Sequence, residues 1–341
     1  MFFPFFTDES KYRQLLEFQK ETTELIYQAL TVGYLENENE VKLVERIVDS
    51  SSGRGKDDIH IFAKKIHGSA SYVSFLNRDK PATTELGDMI IISIIVKEQV
   101  RLLQKISIVQ NKKATERETR NGVTRTWSLD EDQLFLLKNF PKIKSNQGIF
   151  KNLFINEIVF PNTTNCLGTY GLLKSPGEMI FASASLIEEF RKNKKSVNEE
   201  DIFYPCETAH TCDNGGFPFS FPFIFHPKLF HPQYFEDFFM FWDKMFHRFH
   251  DLPFFPSLWN TKLFTRDLYD FVRAWTEFSI GEPTCILGKV INDNLDYFTN
   301  SLLYSISPRK MSSLIGKTHA NREFEPQGNL GILALVYEIA K

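Results

Sequence analysis

Glu85-Leu-Gly-Asp88-Met-Ile-Ile-Ile-Ser-Ile-Ile-Val96, followed by Ile106-Ser-Ile-Val-Gln110-Asn-Lys112, reads as two β-strands. Each carries polar residues at one end, where a strand would otherwise bury apolar groups. Asp88 opens the first strand and, as a strand-end acid, is expected to be exposed. Gln110 and Lys112 close the second, and their spacing places both on one face of the sheet. An acid, an amide and a lysine at the rim of one hairpin suit the binding of a divalent metal and the orientation of a water.

The chain around this hairpin has 341 residues, enough for two domains or one large one. Hydrophobic content of 42% with 24% charge is ordinary for a soluble globular protein, while 34 Phe is an excess. A net charge of −3 means that any contact with nucleic acid must come from local basic patches. The scattered Cys166, Cys206, Cys212 and Cys285 are too few for a disulfide framework and fit reduced thiols in a cytosol. Met1-Phe-Phe-Pro-Phe-Phe lacks a positive flank and meets Asp8 and Glu9, unlike a signal peptide. The longest apolar run, Met89 to Val96, falls far short of the roughly 20 residues that a membrane helix needs. A cytoplasmic protein that does not engage a membrane is expected.

Periodicity predicts a helix over 10–30, with Leu15, Leu16, Phe18, Leu25, Ile26 and Ala29 in phase after caps at Thr7 and Asp8. It predicts a second over 40–49, striped by Val41, Val44 and Val48 with Glu40 and Glu45 beside them. A third short helix is expected from Asp57 to His67, ending at Gly68. Strands follow at Tyr72–Leu76, Asp88–Val96 and Arg101–Gln110. Lys112 to Arg125 reads as an exposed basic loop. Ser128-Leu-Asp-Glu131 reads as a capping box opening a helix that Pro141 stops, and Leu153–Phe160 as a further strand. Later, 168–184 suggests short strands and turns, and 188–200 a charged exposed segment. Aromatics and prolines crowd from Phe217 to Phe255, with a helix near 233–250. Thr265 is expected to cap a helix bearing Leu268, Phe271, Val272, Trp275 and Phe278, ending at Gly281. A last helix covers about 295–306.

The order helix, strands, helix, with Asp88 before Gln110-x-Lys112, resembles the PD-(D/E)XK nuclease superfamily in the variant where glutamine replaces the second acid. More narrowly, Ile66-His-Gly68, Glu85-Leu-Gly-Asp88, Leu102-Leu-x(6)-Gln110-x-Lys112 and Gln133-Leu-x-Leu-Leu-x-Asn-Phe-Pro141 look like an uncharacterised bacterial group built on that core. The resemblance covers roughly residues 40–160. It implies an α/β fold, a restriction-endonuclease-like mixed sheet flanked by helices. Residues 1–160 would form that core with its N-terminal helices, and 161–341 a mixed, then mostly helical, Phe-rich C-terminal region.

The implied chemistry is Mg²⁺-dependent (or Mn²⁺-dependent) cleavage of phosphodiester bonds. Asp88 would bind the metal, with a side-chain oxygen of Gln110 and the carbonyl of Asn111 completing the ligands. Lys112 would hold or deprotonate the attacking water or steady the phosphorane charge. The superfamily usually adds an acid from the preceding helix, and here Glu40 and Glu45 are both candidates, with Glu85 a further one. Lys113, Arg117, Arg120 and Arg125 are placed to meet a phosphate backbone. DNA is the expected substrate and RNA the alternative. A role in bacterial antiviral defence with a controlling protein partner is implied by analogy. The rival reading is a catalytically inactive nuclease fold that binds nucleic acid or assembles a complex.

Other features carry less. Cys206, His210 and Cys212 have the wrong spacing and no fourth ligand for a structural zinc site. His226, His231, His247 and His250 lack a partner acid and read as core or surface. The phenylalanines read as core rather than base-stacking platforms. Arg191, Lys192, Lys194 and Lys195 read as solvated surface. No P-loop, dinucleotide glycine fingerprint or nucleophile elbow is present.

Overall fold

The computed structural model describes residues 9–66, 72–120, 122–145, 157–191, 195–202, 263–316, 320 and 330–339. Two helices open it, α1 (Glu9–Leu35) and α2 (Glu40–Ser51). Eight strands follow: β1 (Gly55–Lys56), β2 (Ile59–Ile66), β3 (Tyr72–Asn77), β4 (Lys80–Glu85), β5 (Met89–Lys97), β6 (Val100–Lys113), β7 (Thr115–Thr119) and β8 (Gly122–Ser128). Then come α3 (Glu131–Asn139), β9 (Lys144–Ser145), β10 (Gly168–Lys174), β11 (Glu178–Ser183), α4 (Ala184–Phe190) and β12 (Ser196–Asn198). The last described elements are β13 (Phe264–Thr265), α5 (Leu268–Thr276), β14 (Glu282–Ile286), β15 (Lys289–Val290), α6 (Asp293–Ile306), α7 (Pro308–Ile315) and β16 (Leu330–Ile339).

Ten strands form one mixed sheet in the order β1-β2-β16-β5-β6-β10-β11-β13, with β14 beside the first part of β6 and β15 paired to β14. Strand β5 runs antiparallel to β6, with Met89 opposite Val109, and parallel to β16, with Met89 opposite Gly331. Strand β10 is parallel to the end of β6 and sets Tyr170 opposite Gln110. Helices cover both faces. Ile90, Ile92, Ile94, Ile106 and Ile108 enter a core with α3, α4, α6 and α7. Met89, Ile91, Ile95 and Val109 enter a second core with α1, α2 and α5. Burial on both sides explains why β5 is almost continuously apolar rather than alternating. Each such side chain contributes about 1.5–3 kcal/mol on leaving water, so the sheet centre is a stiff platform and its rim the place for chemistry.

Several expectations are corrected. Asp57–His67 is not a helix: Ile59–Ile66 is strand β2, paired along its length with β16. The 112–125 segment is not a loop, because β6 runs on to Lys113 and β7 and β8 form a hairpin with Thr115 opposite Thr126. Asp130, not Ser128, caps α3 by accepting from the Gln133 backbone N–H at 2.8 Å, since Ser128 is still held in β8 opposite Ser196. Asp267, not Thr265, caps α5 through the Asp270 N–H at 2.8 Å, while Thr265 lies in β13. The described part of the C-terminal half is not mostly helical: β10, β11 and β13–β16 all belong to the main sheet. A boundary at residue 160 therefore cuts through one sheet, because β16 must lie between β2 and β5 to bury its own apolar run. Of Leu153–Phe160, the described part contributes only a bridge between Ile158 and Ile143. The expected helix near 233–250, the Phe217–Phe255 segment, Cys206, His210 and Cys212, and Lys192 and Lys194 lie outside the described residues. Among the described residues no helix is long and apolar enough to cross a membrane.

Candidate active site

The rim where β5 begins, β6 ends and β16 begins is met by the first turn of α2 and of α3. Asp88 is fixed there by its backbone, donating to Val109 O at 2.9 Å while its own carbonyl accepts from Gly331 N at 2.8 Å. Its side chain is not exposed as expected: the residue is only 9% accessible. Strand β16, an apolar run whose partner no local pattern announces, begins beside it, with Leu330 and Gly331 on the same cleft. Oδ2 of Asp88 accepts from Gln110 Nε2 at 2.5 Å and from the Asn111 backbone N–H at 2.8 Å.

Helix α2 supplies the second acid. Asn39 caps it by accepting from Lys42 N at 3.0 Å, which puts Glu40 at its first position facing the end of β6. There Oε2 of Glu40 accepts from Lys113 N at 2.9 Å, and Oε1 lies 3.6 Å from Lys112 Nζ. Glu45, one turn further, is paired with Lys42 at 2.8 Å and shares with Asp88 a cleft of about 20 Å³, room for one water. Of the two candidates, Glu40 is the one engaged with the residues of β6. Glu85 also belongs to the group, since its charge and that of Glu40 both act on Asp88.

Burial, reinforced by Glu40 and Glu85, pushes Asp88 up to about 8, against the opposing pull of the Asn111 N–H and Lys112. Burial likewise raises Glu85, with Lys112 opposing and Glu40 adding. The pH consequence has a definite sign. In the metal-free protein folded Asp88 keeps its proton up to about pH 8, whereas an unfolded aspartate releases it near pH ~4. The folded state then binds more protons across that window, so stability falls as pH rises through it. Urea melts in EDTA at pH 5 and pH 8 should show this loss, at most ~1.4 kcal/mol per pH unit from this group. Asp88→Asn should flatten it. An unchanged pH slope in the variant would contradict the buried, crowded carboxyl.

Mg²⁺ takes oxygen ligands and retains several waters, so one or two carboxylates are enough protein ligands. Among the described residues no three His, Cys, Asp or Glu side chains form a metal cluster. The donor set still suits a hard cation in atom type and charge, because three carboxyl groups influence one another here with Lys112 as the opposing cation. The anionic side chains that would hold such an ion are Asp88 and Glu40, the acid that meets the end of β6. Gln110 departs from its expected part: its carbonyl accepts from Gln133 Nε2 and faces away from Asp88, so it offers no oxygen to an ion shared with that residue. The Asn111 carbonyl is 3.2 Å from Gln110 Nε2. Gln133, on the buried side of α3, is a residue of this rim that was not expected there. Its signal was a polar side chain beside Leu134, Leu136 and Leu137 on an otherwise inward-facing turn.

The proposed phosphate contacts divide. Lys113 is committed elsewhere, with Nζ donating to Glu38 O at 2.6 Å and lying 5.2 Å from the centre of the Tyr34 ring. Arg125 is held between Glu116 at 2.8 Å and Glu199 at 3.0 Å. The pairing of β7 with β8 brings Glu116 opposite Arg125, which a free loop would not do. Arg117 and Arg120 remain exposed on the hairpin. No family model, curated protein or solved structure matches the chain.

Proposed function

We propose that this protein is a metal-dependent nuclease with a PD-(D/E)XK-like site, cleaving phosphodiester bonds in nucleic acid, DNA foremost. The observation that carries the reading is the meeting of Glu40 from α2 with Asp88 and Lys112 at one rim of the β5–β6 hairpin. The order α2, β5–β6, α3 and then β10 parallel to β6 supports a restriction-endonuclease-like core. A bound Mg²⁺ would polarise a phosphoryl oxygen and ease the deprotonation of a water that it holds. Asp88 and Glu40 would hold that ion. Lys112, about one-fifth exposed at its side chain, orients the attacking water or steadies the charge that grows on the phosphoryl group. Arg117 and Arg120 meet the strand through contacts that weaken with salt. A part in bacterial defence, under a protein partner, extends the same reading by analogy.

A second reading has its own observation. With the Gln110 amide nitrogen turned to Asp88 and the Asp88 carboxyl raised to about 8, the site also suits an inactive nuclease fold retained for binding. The two separate in one experiment. The purified chain is incubated with plasmid DNA and with single-stranded RNA in Mg²⁺, Mn²⁺ or EDTA. Metal-dependent cleavage is expected, and Lys112→Ala should lower it by about a hundredfold, the scale of one positioned catalytic group. Mn²⁺ binding by calorimetry should be kept, since lysine is no ligand. Binding of nucleic acid without cleavage in either metal decides for the inactive fold.

A further inference from the structure

Two side-chain amides stand in series between the backbone of Glu85 and the carboxylate of Asp88. Gln133 Nε2 donates to Glu85 O at 3.2 Å and to Gln110 Oε1. Gln110 Nε2 donates in turn to Asn111 O at 3.2 Å and to Asp88 Oδ2 at 2.5 Å. Both glutamines are buried, at 4% and 2% accessibility.

An amide's oxygen and nitrogen are usually hard to tell apart, but here the chemistry decides. Glu85 O and Asn111 O are backbone carbonyls that can only accept. Turning Gln133 over would set its oxygen against Glu85 O and Gln110 Oε1. Turning Gln110 over would set its oxygen against Asn111 O, which accepts whatever the protonation of Asp88. Each carbonyl therefore fixes one amide, and the two amides fix each other.

We propose that Gln133 is a positioning residue which, through Gln110, pins Oδ2 of Asp88 and leaves Oδ1 as the atom presented to the metal. Only Oδ2 is taken by Gln110 and Asn111, and Oδ1 makes no hydrogen bond among the described residues. This deepens the nuclease reading and rests on it for the metal. It also accounts for glutamine at position 110. The residue there must accept from Gln133 and donate to Asp88 at once, which an amide does and a carboxylate does not. The backbone of Gln133 is itself held by the Asp130 cap, so the chain of bonds starts from a fixed point.

The test uses the full chain with Gln133→Met, Gln110→Met and the double variant. In the wild type the side-chain amide protons of Gln110 should exchange slowly with solvent, as buried bonded groups do. In Gln133→Met that exchange should accelerate at least about tenfold, read by NMR without metal or substrate. Mn²⁺ affinity by calorimetry should fall about tenfold in each single variant, the scale of losing an outer hydrogen bond to a metal ligand. The double variant should lose no more than Gln110→Met alone, because one acts through the other. A merely structural role for Gln133 would give additive losses, and that result overturns the proposal, as does unchanged Gln110 exchange. Should Gln133→Met not fold, Gln110→Met decides: Gln133's amide must lose protection there, and if it does not, the relay is refuted. A wild type that binds no Mn²⁺ defeats the nuclease reading, and amide exchange then decides the relay alone.

Discussion

Gln110→Glu, which puts an acid where the proposed nuclease reading would expect one, should give a protein that depends on divalent cation for its stability. The new carboxylate keeps one oxygen where Gln133 Nε2 can donate to it. The other falls where Gln110 Nε2 now lies, 2.5 Å from Asp88 Oδ2 and 3.2 Å from Asn111 O. A donor is thus replaced by an acceptor facing two acceptors, in a pocket already crowded by Glu40 and Glu85. An uncompensated buried charge costs about 3–5 kcal/mol. At ~2–4 °C per kcal/mol for a large domain, the melting temperature in EDTA at pH 8 should drop by on the order of 10 °C. The loss should shrink at pH 5, where a proton can sit between the two acids. Millimolar Mn²⁺ should recover most of it, since a ligand at about a hundred times its dissociation constant adds about 2.7 kcal/mol. Equal melting of variant and wild type in EDTA would mean that Gln110 does not donate to Asp88.

How much of this the sequence revealed depends on whether each signal was local. Met89–Val96 was legible because burial on both faces leaves an unbroken apolar run, and Gln110 and Lys112 because alternation along one strand fixes their shared side. Ile59–Ile66 misled for a definable reason: Ile59, Phe62, Ala63 and Ile66 satisfy helical spacing, while Ile59 and Ile61 satisfy strand alternation, and a window this short supports both periods. Its partner β16 decides between them, and β16 lies hundreds of positions away in the chain. The β7–β8 hairpin was hidden because Thr115–Thr119 is exposed throughout and shows no apolar stripe. Asn121-Gly122 is nonetheless a hairpin signal that composition alone obscured.

The site divides in the same way. Asp88, Gln110 and Lys112 follow from one hairpin and were readable together. That Glu40 rather than Glu45 meets the end of β6 needed the position of α2, which the Asn39 cap determines. The orientation of the Gln110 amide needed Gln133 from another helix and the carbonyl of Glu85, three separate pieces of chain. Residue type alone therefore suggested an oxygen ligand where the structure has a nitrogen donor. The exposure of Asp88 was misjudged for the same cause, because the strand that begins beside it is the last of the described elements.

That burial shapes the second large expected effect, loss of cleavage in Asp88→Asn with the fold intact. Asparagine can place its oxygen at Oδ2, where Gln110 Nε2 and the Asn111 N–H both need an acceptor. It also removes a carboxyl that burial and two neighbouring acids hold up to about 8. The variant should therefore melt in EDTA at pH 8 no lower than the wild type. Alanine is the poorer probe: it would strand the Gln110 amide and the Asn111 N–H without an acceptor, at about 1–3 kcal/mol. What asparagine cannot supply is the negative charge at the free Oδ1, so Mn²⁺ binding should weaken below detection in calorimetry. Cleavage of plasmid DNA should fall by more than about a hundredfold, the scale of one preorganised electrostatic contact. An Asp88→Asn protein that still cleaves with its metal dependence unchanged would remove Asp88 from the reaction. One that loses cleavage by unfolding would show up first in the melts, and a native melt with abolished cleavage is the outcome that ties the chemistry to this carboxylate.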